Sequence, residues 1–420
     1  MKLCTALLTL ALIASQPAFA LKEYYSISRS TRALGMGGAF YGLSDDENAL
    51  FYNPSGLAFY RGGPDFKIAL RAEGTTNAVS ALQELIKPGT RDISDIVAAM
   101  EPYQGQPIYG GVTPGMIYFA KRQFAIGLLI GDVKSNAALL GRDLDSSLDI
   151  TAIADSGLFV GFGFPILKNL AVGANLKAIF RAGGRKTYTA ADIAQSSSFS
   201  IDPRQMGGMG GGLDFDLGAT YEHFWAGGMF TRASLTLNNA LASQMTFIKV
   251  PDVNAPPGLP RLLSVGTYTQ LPGMGVFDHV GLLVDFAEFG IGGQTDADLG
   301  GRGGSFWKHV NLGVEVPLTS YLSGRLGLRQ GNFTAGLGLD LRHFELELAT
   351  YAEELATHPG RLTARRVALR LAFGFGGGKQ SVVTLSEASP PPLKAGSAPV
   401  PAPAETPPPA LGEAPAAAVN

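Results

Sequence analysis

The sequence predicts an all-β fold: a transmembrane antiparallel β-barrel of about fourteen strands, with a segment before the first strand folded into its lumen. Three observations lead there. The chain opens like an exported protein. Its 420 residues include 55 glycines and only 16% charged residues. Its middle carries strict apolar alternation in segments of about ten residues, the period of a strand with one greasy face.

Residues 1–20 read as a secretory signal peptide. Met1-Lys2 is a short basic start, Leu3–Ile13 an uncharged apolar run, and Ala18-Phe19-Ala20 a small-x-small cleavage site. Leu21 is then the mature N-terminus. The only cysteine, Cys4, falls inside the removed segment. The mature chain therefore offers no disulfide framework, no thiolate metal ligand and no thiol nucleophile. A net charge of −2 gives no basic surface for nucleic acid. After the signal, no run approaches the roughly eighteen apolar residues of a membrane helix. An exported, Gly-rich, mildly hydrophobic chain of this kind fits a bacterial outer-membrane barrel.

Residues 64–376 supply the wall. Strands are expected near 65–74, 111–121, 123–132, 151–164, 169–182, 212–222, 228–239, 261–270, 277–287, 307–317, 320–330, 332–342, 343–352 and 363–376. The even total suits a single-chain bacterial barrel, and about ten residues suffice for a tilted strand to cross a bilayer. Loop lengths give an independent check. Connections after even strands are short, and those after odd strands are long except at Gln330-Gly331. Short periplasmic turns alternating with long external loops is the barrel arrangement, and a soluble β-sandwich has no reason to sort its loops by parity.

The polar faces point the same way. The inward set of the last strands includes Arg325, Arg329, Asp340, Arg342, Glu345, Glu347, Arg366 and Arg370. Facing lipid, each charge would cost a few kcal/mol at the midplane; facing the lumen, opposite charges on neighbouring strands can pair. The bland role is holding the wall and its plug together; the sharper one is substrate binding. The last strand ends on an aromatic residue, Phe375, like a terminal strand read by the barrel-assembly machinery. Residues 377–420 follow. From Ser386 onward they hold ten prolines and no aromatic residue, a composition that cannot bury a core. This tail would hang in the periplasm, either passive or docking a periplasmic partner.

Residues 21–63 precede the wall. Gly35, Gly37 and Gly38 do not make a dinucleotide loop, because the last glycine of that pattern falls on Phe40, and no Gly-Lys-Ser/Thr follows for a phosphate loop. No cofactor is implied. The glycines permit unusual backbone angles or close approach. Asp45, Asp46 and Asn53 can turn or cap the chain, and Pro54 holds Asn53 extended. A turn-rich, small-residue segment of this kind suits a lumen plug, where every backbone group must be paired.

"RSTRALGMGGAFYGLSDDENALFYNPSGLA" resembles the N-terminal hatch of the FadL/TodX-type outer-membrane transport family. The resemblance rests on a small-residue "lGmGgA", an acidic pair at Asp45-Asp46, Asn48-Ala49, and the Asn53-Pro54 turn. Ser55 stands where that family usually has Ala. Residues 328–355 resemble the C-terminal strands of the wider superfamily, which includes the PorV-like proteins. The resemblance implies a fourteen-stranded barrel closed by a hatch. It further implies that a hydrophobic ligand lands in an external groove, enters a pocket and leaves sideways when the hatch shifts.

Candidates for the groove lie in loop 75–110. Leu82, Leu85 and Ile86, with Val79, line one short amphipathic stripe, and Ile93, Ile96, Val97 and Met100 line another. Such stripes either form a ligand groove or pack against the rim. The leading function is passive transport of hydrophobic, long-chain-fatty-acid-like molecules across the outer membrane, with that ligand and outer-membrane lipid as partners. The alternative is a PorV-like structural or secretion-partner barrel. An enzyme is not expected: the five histidines have no metal-ligand spacing, and no G-x-S-x-G is present.

Overall fold

A computed structural model describes residues 26–60, 64–85, 93–141, 147–195, 206–274, 277–292, 305–341, 343–356, 359–360 and 362–376. The segments expected to be a signal peptide and a tail, together with Ile86, Arg342 and the side chains of Leu82, Leu85 and Ile93, lie outside the described residues.

Every expected strand is present. In chain order they are β1 (Asp65–Thr75), β2 (Ile108–Lys121), β3 (Phe124–Leu140), β4 (Ser147–Leu167), β5 (Leu170–Thr189), β6 (Met209–Phe224), β7 (Phe230–Asn238), β8 (Ile248–Lys249), β9 (Leu262–Met274), β10 (Phe277–Gly290), β11 (Val310–Pro317), β12 (Leu322–Arg329), β13 (Asn332–Leu341), β14 (Phe344–Glu354) and β15 (Thr363–Gly376). β8 is a two-residue strand on the edge of β6, which sequence reading did not anticipate. The other fourteen form the wall. Each pairs antiparallel with its neighbours in the chain, and β1 pairs with β15, from Asp65 opposite Gly376 to Thr75 opposite Arg366, closing the sheet into a barrel.

The wall is greasy outside and charged inside. On β15 the outward Val367, Leu369, Phe373 and Phe375 are exposed, while the alternating Arg366, Ala368, Arg370 and Ala372 are buried. In water such a belt would be a large exposed apolar patch; in a bilayer it is the required surface. Aromatic residues ring both ends of the belt. At the short-turn end Phe66 meets Phe375, Phe124 meets Phe162, and Phe344 meets Phe373, at centroid separations of 5.2–6.3 Å. At the long-loop end Phe286 and Phe289 lie 5.8 and 6.0 Å from Phe306, beside Trp307. The two tryptophans of the chain, Trp225 and Trp307, stand at opposite ends, and both are exposed. Such girdles mark the two interfaces of a membrane barrel.

The rim is uneven. β4 and β5 run 21 and 20 residues, whereas β11 and β12 run 8 each. The far ends of β3–β5 were missed in sequence: alternation breaks at Ala137–Leu140 of β3 and at Gly183-Gly184 of β5, although Ser147–Thr151 of β4 does alternate. Leu148 and Ile150 point outward from β4 yet are fully covered. Helix α3 (Ile93–Met100) covers them: Met100 joins Leu139, Leu148, Ile150, Tyr188 and Met206 in one cluster, with Ile96 and Val97 packed against it. On the inner side Ala138 packs with Leu355 and Ala364, so the ridge leans across the mouth onto the β14–β15 side.

Placing a charge on the belt tests this orientation. Leu369→Arg should lower unfolding stability in lipid vesicles by about 2–4 kcal/mol in a urea titration. A cost below about 0.5 kcal/mol would mean that Leu369 does not face lipid.

Candidate functional site

Residues 26–60 lie inside the barrel and are almost entirely buried. The segment opens with helix α1 (Thr31–Gly35), capped by Ser30, whose side chain accepts from the Ala33 N–H. Gly37 and Gly38 follow with φ of +71° and +81°, a conformation that L side chains rarely adopt. They reverse the chain, and the Gly38 N–H returns to the Ala33 carbonyl at 2.7 Å. A 3-10 turn, Glu47–Leu50, is capped by Asp46, and a second, Pro54–Phe59, is capped by Asn53 with Pro54 in its first position. The small-residue, acidic and Asn-Pro elements of the sequence are therefore three chain reversals stacked in one lumen.

Wall side chains hold each reversal. Thr334 on β13 accepts from the Gly37 N–H at 2.9 Å and donates to the Gly35 carbonyl at 3.1 Å. The Asp285 carboxylate on β10 accepts from the Phe40 and Tyr41 N–H groups at 2.6 and 2.8 Å. Asn53 donates to Thr220 on β6 at 3.0 Å, and its amide oxygen accepts from the Ser55 hydroxyl at 2.6 Å. The wall glycines make room. A methyl on Gly327 would overlap the Gly37 nitrogen, and one on Gly173 would overlap the Ser55 nitrogen.

Charge completes the attachment. Arg32 reaches Asp45 at 2.8 Å, Asp46 at 3.0 Å and Glu315 on β11 at 2.7 Å. Burial pulls the Arg32 guanidinium down, but Asp45, Glu315 and Asp46 outweigh it and hold its pKa above the ordinary value. Burial pushes the Asp46 carboxyl above the usual carboxylate range, against the pull of Arg32. Glu47 bridges Lys67 on β1 and Arg370 on β15, at 3.1 and 2.7 Å.

Most of the expected lumen charges meet here. Arg325 bonds Glu315 at 2.8 Å and approaches Glu347 at 3.5 Å. Glu345 bonds Lys67 at 2.6 Å and Arg370 at 2.9 Å. These residues, with Asp340, line a polar cavity of about 150 Å³ at the short-turn end. Arg329 pairs with Glu353 at 3.2 Å nearer the long-loop end, where Arg366 stacks over the Tyr109 ring. Two smaller cavities, of about 50 and 30 Å³, lie above the segment beside Tyr41 and Phe51. Spaces of that size hold a few waters.

The groove candidates fall elsewhere. Ile96, Val97 and Met100 turn toward the covered outer face of the ridge. Val79 on helix α2 (Ala78–Leu85) is exposed. Sequence reading overlooked Arg32, Glu47, Thr220, Asp285, Glu315 and Thr334. Only two of these carry a local signal: Arg32 is a charge among small residues, and Asp285 is an acid in the apolar run 280–287.

No protein-family model matches the chain, and no curated protein matches it either. Solved structures do resemble it. The toluene transporter TodX of P. putida shares 10% identity, with 86% of this chain and 100% of TodX covered, at a TM-score of 0.44. The toluene transporter TbuX of Ralstonia pickettii shares 10% identity over 85% of this chain and 99% of its own, at 0.42. A FadL homologue of Pseudomonas aeruginosa shares 14% over 82% and 96%, at 0.40.

Two substitutions probe the attachment. Gly327→Ala should cost about 1–3 kcal/mol by overpacking against backbone, whereas Gly110→Ala, with open space around its Cβ, should stay within about 0.5 kcal/mol in the same urea titration. Arg32→Ala leaves Asp45 and Asp46 without their cation and Glu315 with Arg325 alone, and should cost about 3 kcal/mol while raising ion conductance in a planar bilayer. An unchanged conductance would show that this clasp does not seal the lumen.

Proposed function

We propose that the barrel sits in a bacterial outer membrane with its long loops outside and passes hydrophobic small molecules of the long-chain fatty-acid kind, residues 26–60 serving as the hatch. The orientation follows from the loops, which are long at one end and tight at the other. The observation that carries the transport reading is the apolar cluster packed under helix α3 on the outer face of the β3–β5 ridge, beside the mouth of a plugged lumen. It contains Met100 and Met206, flexible side chains that adapt to variable apolar shapes. The cluster is closed in the structure, Met100 and Met206 being 1% and 4% exposed, so a hydrophobic solute enters it when helix α3 lifts away and has little use for an aqueous channel. The polar lumen cavities are too small and too charged to favour its free diffusion, so passage requires the hatch to shift.

A structural platform is the second reading. The firm attachment of residues 26–60 to opposite sides of the wall favours it, as a barrel that never opens needs such bolts. In that case the Pro-rich residues 377–420 would engage a periplasmic partner. In both readings Phe375 ends the wall for the barrel-assembly machinery, and no cofactor takes part.

Uptake of radiolabelled oleate by cells expressing the protein separates the two. Met100→Asp combined with Met206→Asp should reduce uptake at least fivefold while leaving the heat-dependent electrophoretic mobility of the folded barrel unchanged. Uptake equal to that of cells lacking the protein would remove the transport reading. A protein co-purifying through residues 377–420 would then establish the platform.

A further inference from the structure

The outer wall of β11–β15 is hollow. Its floor and its sides come from the register. Along one row Thr350 stands opposite Ala335, and Ala335 opposite Leu326; along the next, Gly324 stands opposite Leu337, and Leu337 opposite Leu348. The small outward residues Gly324, Ala335 and Thr350 are thus set between the large Leu326, Leu337 and Leu348. The result is an apolar groove of about 540 Å³ running across the strands. Five strands side by side give it a length of roughly 19 Å. It lies between the two aromatic girdles, at the depth of membrane hydrocarbon.

One end of the groove is charged. Val367 closes it on β15, and two residues earlier on the same outward face stands Arg365. Arg365 is exposed, and its guanidinium donates to the Phe333 carbonyl at 2.7 Å. Among the described residues no carboxylate pairs with it. Below it the outward face of β15 is apolar through to Phe375. The arginine therefore marks the interface of the long-loop end, with donors of its planar fork unused.

We propose that this wall binds one acyl chain of a phosphorylated outer-leaflet lipid, with Arg365 on the phosphate. The groove faces the bilayer, where lipid far outnumbers any free fatty acid, so the resident chain is a lipid chain. The anion that such a lipid presents at the interface is phosphate, which an arginine fork matches with paired hydrogen bonds. The inference uses the orientation given under Proposed function but does not depend on transport.

Native mass spectrometry of the mature full-length protein tests it, with three probes added in detergent: dipalmitoyl phosphatidic acid, dipalmitoylglycerol and palmitic acid. The wild type should retain one phosphatidic acid at least tenfold more tightly than the glyceride or the free acid. Arg365→Ala should erase that preference, and Ala335→Phe, which fills the floor, should lose the adduct. Ala178→Phe, at an exposed position on β5 far around the wall, should keep it. Folding of each variant is checked by heat-dependent mobility. Equal retention of all three probes, or an adduct surviving Ala335→Phe, overturns the site. Preferred retention of palmitic acid would also overturn it, assigning the groove to a free fatty acid. None of these outcomes alters the oleate uptake result.

Discussion

The lumenal segment lies against the wall backbone to backbone, and the rest of the molecule follows from that contact. On one side Gly313, Gly327 and Gly336 of β11–β13 meet Gly35–Gly37. On the other, Gly163, Gly173 and Gly218 of β4–β6 meet Asn53–Ser55. With no side chain on the wall side, the segment comes close enough for single side chains such as Thr334 and Thr220 to bond it across the gap. Every buried backbone group inside a closed barrel must find a partner, and close approach is how these do so. The wall glycines at these two contacts are an interior packing device.

Electrostatics divides the work differently. Opposite charges sit on adjacent strands, as Glu347 faces Arg370, so much of the network would form in the wall alone. Arg32 and Glu47 then insert into it, Arg32 joining Asp46 of the segment to Glu315 of β11 and Glu47 joining Lys67 of β1 to Arg370 of β15. Buried ion pairs of this sort add little net stability compared with apolar packing, but removing one partner is expensive. They fix where the segment sits more than how strongly it is held.

The wall was legible in the sequence because lipid on one side and a polar lumen on the other impose a period of two. On the β3–β5 ridge, where both faces are covered, the period breaks in β3 at Ala137–Leu140 and in β5 at Gly183-Gly184, and the strand ends went unforeseen. The capping roles of Asp46 and Asn53 were legible because an Asx cap bonds within a few residues. Arg32 with Glu315 and Phe40 with Asp285 were not: 283 and 245 residues separate the partners, and no local pattern reports a contact made only when the barrel closes. The groove beneath Arg365 was equally hidden, since it exists only in the register of five strands.

The seam between β1 and β15 sets an order of events. All other wall strands pair with chain neighbours, so hairpins can form locally and early. The seam joins Asp65 to Gly376, nearly the whole length of the wall apart, and carries the larger loop-closure cost. Residues 26–60 come first in the chain, yet their place is enclosed only when the last strand arrives. The open sheet must therefore keep this segment on its concave side until β15 zips onto β1. A segment left outside at that moment could re-enter only by threading through an end of the closed wall, so the correct molecule and a hollow one part at a single, late step.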